Sequence, residues 1–497
     1  MIKHMDPKPR VGPPNAVILI LAYLLLPIGS EGTVTPLLAQ ETRHIPVSLE
    51  EVRRIAAEGH PEVQAAQARA QGAFSQWDGS RAYRRPSVGV EWDALRTNDP
   101  VAAFGSRLRQ GRFTEADFSP DRLNRPDALG DWAVGVGAEW APFDPAATSA
   151  ARAAQALAQA AGLGAEWVAE AAAYGAELHY LESVAAESRL AAVEASAGSA
   201  RENLRVTTRR VEEGLATEGD LFQAQAGLEN ARAQVIRAER EIHDARERLG
   251  LALGWERGQI PVPVEQDMAA LPDLPVPARG DVAVELEGRP DLLASMAHLE
   301  ASAERVREAR RARLPSMEGF ARVGTHSQAP FGGAETNWMV GFRVRVPLYS
   351  GGGLTDRIEA LDAERLAHER EHDFRVREAE VEVSEAVRAL ASAHEGVEVA
   401  RAAARASGEA ARLMRRRYEE NLVTAADLMA VEARAAQDAV GEVDAAANLA
   451  MAAARVRFLS GVHHAAQTRS TSPAHHDVES TVPMPSTDPS LNLGDNR

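Results

Sequence analysis

The stretch Arg210-Val211-Glu212-Glu213-Gly214-Leu215-Ala216-Thr217-Glu218-Gly219-Asp220-Leu221 aligns without a gap to Arg417-Tyr418-Glu419-Glu420-Asn421-Leu422-Val423-Thr424-Ala425-Ala426-Asp427-Leu428, 207 residues further on. Gly and Asn are the residue types that best tolerate the left-handed conformation in which helices end, and here they are Gly214 and Asn421. Thr217 and Thr424 stand three residues before Asp220 and Asp427, where a new helix can be capped. Each copy therefore reads as helix, tight turn and returning helix. A repeat on this scale means that one plan has been used twice.

Upstream of each turn lies a very long helical segment. Asp144-Pro145 supplies an N-cap and an N1 proline for the first, and Ser350-Gly351-Gly352-Gly353 with Thr355 and Asp356 opens the second. No proline interrupts either segment after its start, so each extends on the order of 100 Å as helix. Trp167, Ala171, Tyr174, Leu178, Leu181 and Ala185 step by four and three, as do Val383, Val387, Leu390, His394 and Val397. Such narrow, Ala-rich seams indicate close helix-on-helix packing of coiled-coil type, with His394 as a packed core histidine.

Further upstream, His60-Pro61-Glu62-Val63 and Arg289-Pro290-Asp291-Leu292 are each followed by a proline, Pro86 and Pro315, 25 residues after their own. A helical stretch fills each interval, and a strand pair follows. Val88, Val90, Trp92 and Ala94 alternate with Gly89, Glu91 and Asp93, and Phe342, Val344, Val346 and Leu348 alternate with Arg343 and Arg345. The sequence thus sets out a first repeat over 48–253, with strands at 87–95 and 132–143, and a second over 289–462, with strands at 316–324 and 338–348. A Pro-rich linker over 254–288 joins them, and a polar tail over 463–497 reads as disordered. Trp92, Trp132, Trp140 and Trp338 sit where an interfacial aromatic girdle draws them.

Of the 497 residues 45% are apolar but only 5% aromatic, and the formal charge is −17, which suits long helices with small contact residues and argues against nucleic acid as a partner. There is no cysteine, which excludes disulfides, thiolate catalysis and a lipid-modified N-terminal Cys. Lys3, Lys8 and Arg10 precede the short apolar run from Ala16 to Leu26, a signal peptide over 1–32 whose cleavage site falls after Gly32 or, further on, near Ala39. The run is too short to span a bilayer, and no later stretch reaches that length. The mature chain is expected to be exported without a helical membrane span.

Four strands with one apolar and one polar face cannot close a membrane barrel alone, because closed barrels begin at about eight strands. Several chains must share one barrel, with the long hairpins projecting from it. At this point the sequence resembles the TolC-type outer membrane efflux protein family over about Ser48 to Val462. The resemblance rests on the twofold repeat, the Val346-Pro347-Leu348-Tyr349-Ser350-Gly351-Gly352 strand-to-helix junction, and the turns. It implies an α+β, mainly α, homotrimer: a twelve-stranded transmembrane β-barrel continued by a periplasmic α-helical tunnel. It also implies a passive exit duct in the outer membrane that docks a membrane-fusion adaptor and an inner membrane pump of RND, ABC or MFS type. Carried over to this chain, the adaptor-docking tip is Gly214, Leu215, Thr217, Asn421, Leu422 and Thr424, and the tunnel constriction is Asp220, Arg417, Tyr418 and Asp427. The sequence departs from the family pattern at Asn421, where glycine is usual, and at Ala430, where some members carry a second acidic ring.

Two other readings compete. One is an exported coiled-coil adaptor or scaffold, which has no need of strand pairs with alternating faces. The other is a zinc peptidase, because His368-Glu369-Arg370-Glu371-His372 matches H-E-x-x-H and places both histidines on one helix face. A third ligand has no evident source on an uninterrupted helix flanked by Glu364, Arg365, Asp373 and Arg375. The sequence therefore reads as a non-enzyme with no cofactor and no metal site, and the cargo is left to the inner membrane partner.

Overall fold

The computed structural model describes residues 43–268, 286–330, 332, 335–420 and 422–460. The expected signal peptide and tail lie outside them, as do Asn421 and the middle of the linker. Nine α-helices and six strands are found among the described residues.

Strand β1 (Arg43–Val47) leads into α1 (Leu49–Gly59), and α2 (Pro61–Ser80) follows directly. The helical stretch expected between Pro61 and Pro86 is α2, and His60, extended, caps it through its ring nitrogen, 3.2 Å from the amide of Glu62. Next come β2 (Ser87–Thr97), α3 (Pro100–Arg109), α4 (Pro120–Asn124), β3 (Leu129–Phe143), α5 (Pro145–Glu212) and α6 (Glu218–Ala252). Beyond β4 (Gln259–Pro263), α7 (Pro290–Arg311) leads into β5 (Ser316–Ser327), β6 (Glu335–Arg345), α8 (Gly353–Glu419) and α9 (Ala425–Leu459).

The 68 residues of α5 and 67 of α8 correspond to about 100 Å each at the α-helical rise. Asp144 caps α5, its carboxylate accepting from the Ala147 amide at 2.9 Å, and Gly352 opens α8 with a left-handed φ of 89°. Helix α5 packs on α2, α6, α7 and α9, and α8 packs on α7 and α9. Small residues such as Ala153, Ala156, Ala158, Ala160, Ala173 and Ala176 are buried along α5, which lets the backbones approach closely. The main core joins Val47, Val52, Ala56, Tyr180, Val184 and Leu249. His394 departs from the expected seam: it is exposed, while Val383, Leu390 and Val397 are buried. The buried seam keeps one residue per seven, Val383, Leu390 and Val397, and the second position of the repeat, Val387 then His394, passes from half-buried to exposed.

Strands β2, β3, β5 and β6 form one antiparallel sheet in that order. The ladder runs two residues past the expected end of β2 and starts three residues before the expected start of β3. On β6 it stops at Arg345, because Pro347 has no amide to continue it. Val90, Val136, Val323 and Trp338 are paired in a row across all four strands, and Val88, Ala138, Ala321 and Val340 form the next such row. This face is apolar and open: Val90 is 72% exposed, Phe342 74% and Trp338 75%. The other face carries Glu91, Glu139, Arg322, Glu318 and Arg343.

A second sheet was not foreseen. β1 pairs in parallel with β4, inside what the sequence presents only as a linker, with Ile45 opposite Pro261 and Val47 opposite Pro263. Alternate prolines and a five-residue length hide β4 from pattern reading.

Candidate functional site

The tip of the helical hairpins is built by local rules. α5 ends with Gly214 at φ 77°, the Gly214 amide donating to Val211 O at 3.0 Å and the Leu215 amide to Arg210 O at 2.7 Å. These two bonds satisfy the last free carbonyls of the helix in a Schellman arrangement. In the second copy the Leu422 amide donates to Arg417 O at 2.8 Å, the equivalent bond. Each return helix is then closed by a reciprocal cap. Thr217 Oγ1 and its amide donate to Asp220 Oδ2 at 2.8 and 2.9 Å, and Thr424 does the same to Asp427 at 2.6 and 3.1 Å. The amide and hydroxyl of Thr217 hold the Asp220 carboxyl below the usual aspartate range, and the hydroxyl and amide of Thr424 do so for Asp427. Both acids of the expected constriction are therefore capping-box partners in the single chain, of Thr217 and Thr424, which are exposed.

Tyr418 is 3% exposed. Its hydroxyl lies 2.9 Å from Thr207 Oγ1, and the Arg210 guanidinium stacks over its ring at 4.2 Å while donating to the Tyr418 carbonyl. Tyr418 thus pins α8 to α5 just behind the turns, on a small core of Ala425 and Leu428. Arg417, expected to act beside it, is exposed in the single chain. The arginine stacked on Tyr418 is Arg210, the residue of the first repeat that aligns with Arg417. Beside this pin Glu432 accepts from Arg415 at 2.7 Å and from Asn203. Thr207, Arg210, Asn203, Arg415 and Glu432 escaped the sequence reading, although the repeat alignment does point to Arg210. At the outer surface of the tip Leu215 is 55% exposed, Leu422 67% and Phe222, a further apolar residue on α6, 64%.

The opposite end of the sheet is covered on its polar side. Leu129 and Asp131 of β3, which share that face, are buried beneath α3. Asp131 accepts from Ser106 Oγ at 3.1 Å and Gln110 Nε2 at 2.9 Å and lies 3.1 Å from His326 Nδ1. Phe104, Phe113 and Phe118 stack edge to face at 4.8 and 5.0 Å between centroids. The long segment between β2 and β3 is thus a built lid with helices of its own.

The zinc-peptidase pattern finds no such assembly. Glu369 is engaged by Arg365 at 2.9 Å, His372 Nδ1 meets Ser295 Oγ of α7 at 3.1 Å, and His368 lies 3.4 Å from Glu371. Among the described residues no cluster of three or more His, Asp or Glu side chains is placed to hold a metal ion.

The open apolar sheet face, the paired helices of about 100 Å and the capped hairpin turns have counterparts among known proteins. The outer membrane efflux protein family matches residues 52–255 and 283–462, so the chain belongs to that family and to the outer membrane. It is 25% identical over 221 residues to the probable efflux pump outer membrane protein TtgC of Pseudomonas putida, covering 44% of this chain and 45% of that one. The chain spans about half the length of the curated relatives it matches. Among solved structures, it resembles a membrane protein from Pseudomonas aeruginosa with a TM-score of 0.71 at 22% identity, covering 83% of this chain and 92% of that one. It also resembles the Campylobacter jejuni CmeC outer membrane channel with a TM-score of 0.70 at 17% identity, covering 85% and 89% respectively.

Proposed function

We propose that this chain is the outer membrane exit duct of a tripartite efflux or type I secretion system. Three copies contribute four strands each to a twelve-stranded barrel, and their helices continue it as a periplasmic tunnel. The observation that carries this reading is the sheet face of Val90, Phe342 and Trp338, which is apolar, exposed and flanked by tryptophans as a lipid-facing band is. TtgC bears the name of an efflux pump component, and the same role is proposed here. The tip docks a periplasmic adaptor through Leu215, Leu422 and their neighbours, an inner membrane pump supplies the energy, and the duct itself is passive. In this reading the gate lies at Tyr418, with Arg210 stacked on it, and at Asp220 and Asp427 of the neighbouring caps. The lid over β3 faces the exterior and narrows the mouth.

Detergent-extracted outer membranes should yield heat-resistant trimers that give step conductances in planar bilayers. A water-soluble periplasmic species would overturn the duct and favour the scaffold. Asp427→Ala should lower cation selectivity.

A further inference from the structure

The polar face of the sheet is charged unevenly from edge to edge. The charged residues there on β2, at one edge, are the acids Glu91 and Asp93, whereas β6, at the other, carries Arg343 and Arg345 toward its lower end and Glu335 only at its far end. Between them Arg322 reaches Glu139 at 3.2 Å and Glu91 at 4.0 Å, and Arg343 reaches Glu318 at 3.4 Å. Glu91 remains 64% and Arg343 58% exposed, each with one side open toward its free edge. Among the described residues neither edge has a further strand partner.

We infer, on the duct reading above, that the seam between copies is an ionic lock on the channel face, with Arg343 of one copy set opposite Glu91 of the next. Three observations fix this pairing. First, successive strands of the sheet are antiparallel, so β6 meets the β2 of a second copy antiparallel as well. Second, the offset between copies must be an even number of residues, because an odd one would turn the apolar face of one copy inward. Third, the lower ends of the strands lie level only if Ser87, which follows Pro86, meets Pro347. A straight row across the sheet leads from Ser87 through Glu139 and Phe320 to Gly341, so closure on Pro347 is a shift of six residues per copy. Over three copies that shift corresponds to a strand tilt of about 45°, within reach of the tilt of membrane barrels, whereas unshifted rows give none. At this register Arg343 faces Glu91, Gly341 faces Asp93 and Arg345 faces Gly89. Acid and base then alternate across the seam as they do inside the sheet, from Glu318 to Arg343 to Glu91 to Arg322.

Because the chain has no cysteine, introduced pairs report the register directly. Glu91→Cys combined with Arg343→Cys should give covalent trimers on mild oxidation of outer membranes. Glu91→Cys with Asn337→Cys, residues that share a row only without the shift, should give none, and the reverse pattern overturns the register. Glu91→Gln and Arg343→Gln should each abolish the SDS-resistant trimer at a temperature the parent withstands, with the double variant no worse than either. Losses that add, or no loss in either single variant, overturn the lock while leaving the duct standing. A parent chain that forms no trimer removes both.

Discussion

At the tip, Tyr418 and the Arg210 guanidinium stacked on it form a contact whose strength rests on burial and geometry together. Loss of the Tyr418 hydroxyl in Tyr418→Phe removes a bond contributing about 1 kcal/mol and leaves Thr207 Oγ1 facing a ring edge. Arg210→Ser removes the stacked cation and its bond to the Tyr418 carbonyl. Both should raise single-channel conductance by loosening α8 from α5, while Arg417→Ser, at an exposed position, should leave it unchanged. A conductance change with Arg417→Ser alone would return the gate to that residue. The capped aspartates carry a pH signature. Their carboxyls are lowered in the folded chain relative to the ordinary value of 3.8, so their stabilisation is complete above that pH and is lost as pH falls through the lower folded values. The hydrogen-exchange protection factors of the Thr217 and Thr424 amides, which donate to these carboxylates, should fall below about pH 4, with those at mid-helix in α5 unaffected. The turns were legible in the sequence because Gly214, Thr217 and Asp220 act through their own backbone within a few residues. The stacking of Arg210 on Tyr418 was not, since it joins two residues more than two hundred positions apart.

At the scale of elements, α5 with α6 and α8 with α9 form two hairpins whose ends expose Leu215, Phe222 and Leu422, apolar side chains with more than half their surface open. An apolar patch on a polar hairpin end suits the hydrophobic face of a helical partner. Leu215→Asp with Leu422→Asp should abolish co-purification of the adaptor without loss of trimers, since neither leucine enters the core. Retained adaptor binding would place docking elsewhere on the helices. The hairpins were legible from proline-free length and capping residues. The helices α3 and α4 within the segment between β2 and β3 were not, since Asp99-Pro100 and Ser119-Pro120 are short cap signals followed by no long apolar period, and the lid is held by Asp131, His326 and Gln110 from distant positions. β1 and β4 were hidden for the same reason: each is a five-residue strand stabilised by a partner more than two hundred residues away.

For the whole molecule, the faces of the sheet assign inside and outside. On the proposed duct, residues on the Val90 side would meet lipid, those on the Glu91 side would line the channel, and the segment bound to Asp131 would cover the end away from the helices. A cysteine introduced at Ser119, exposed at the start of α4, should be labelled in intact cells by a membrane-impermeant thiol reagent. Labelling only after the outer membrane is ruptured would invert the topology. The twofold plan was readable because both copies keep their prolines, turns and strand pairs at matched spacing. The seam inferred between copies was not, because it rests on charges that alternate across strands rather than along them.

The ribbon of β1 with β4 also dictates an order of events during biogenesis. Arg43–Val47 gains its partner only once Gln259–Pro263 has emerged, after the whole of the first hairpin. Until then Val47 and Val52 lack part of the surface that buries them, and the start of a nascent chain delivered N-terminus first stays unsatisfied. When β4 arrives it docks on α6 and clamps Arg43–Val47, yet the same core also takes in Ala447 of α9, so it closes only when the last helix of the second copy follows.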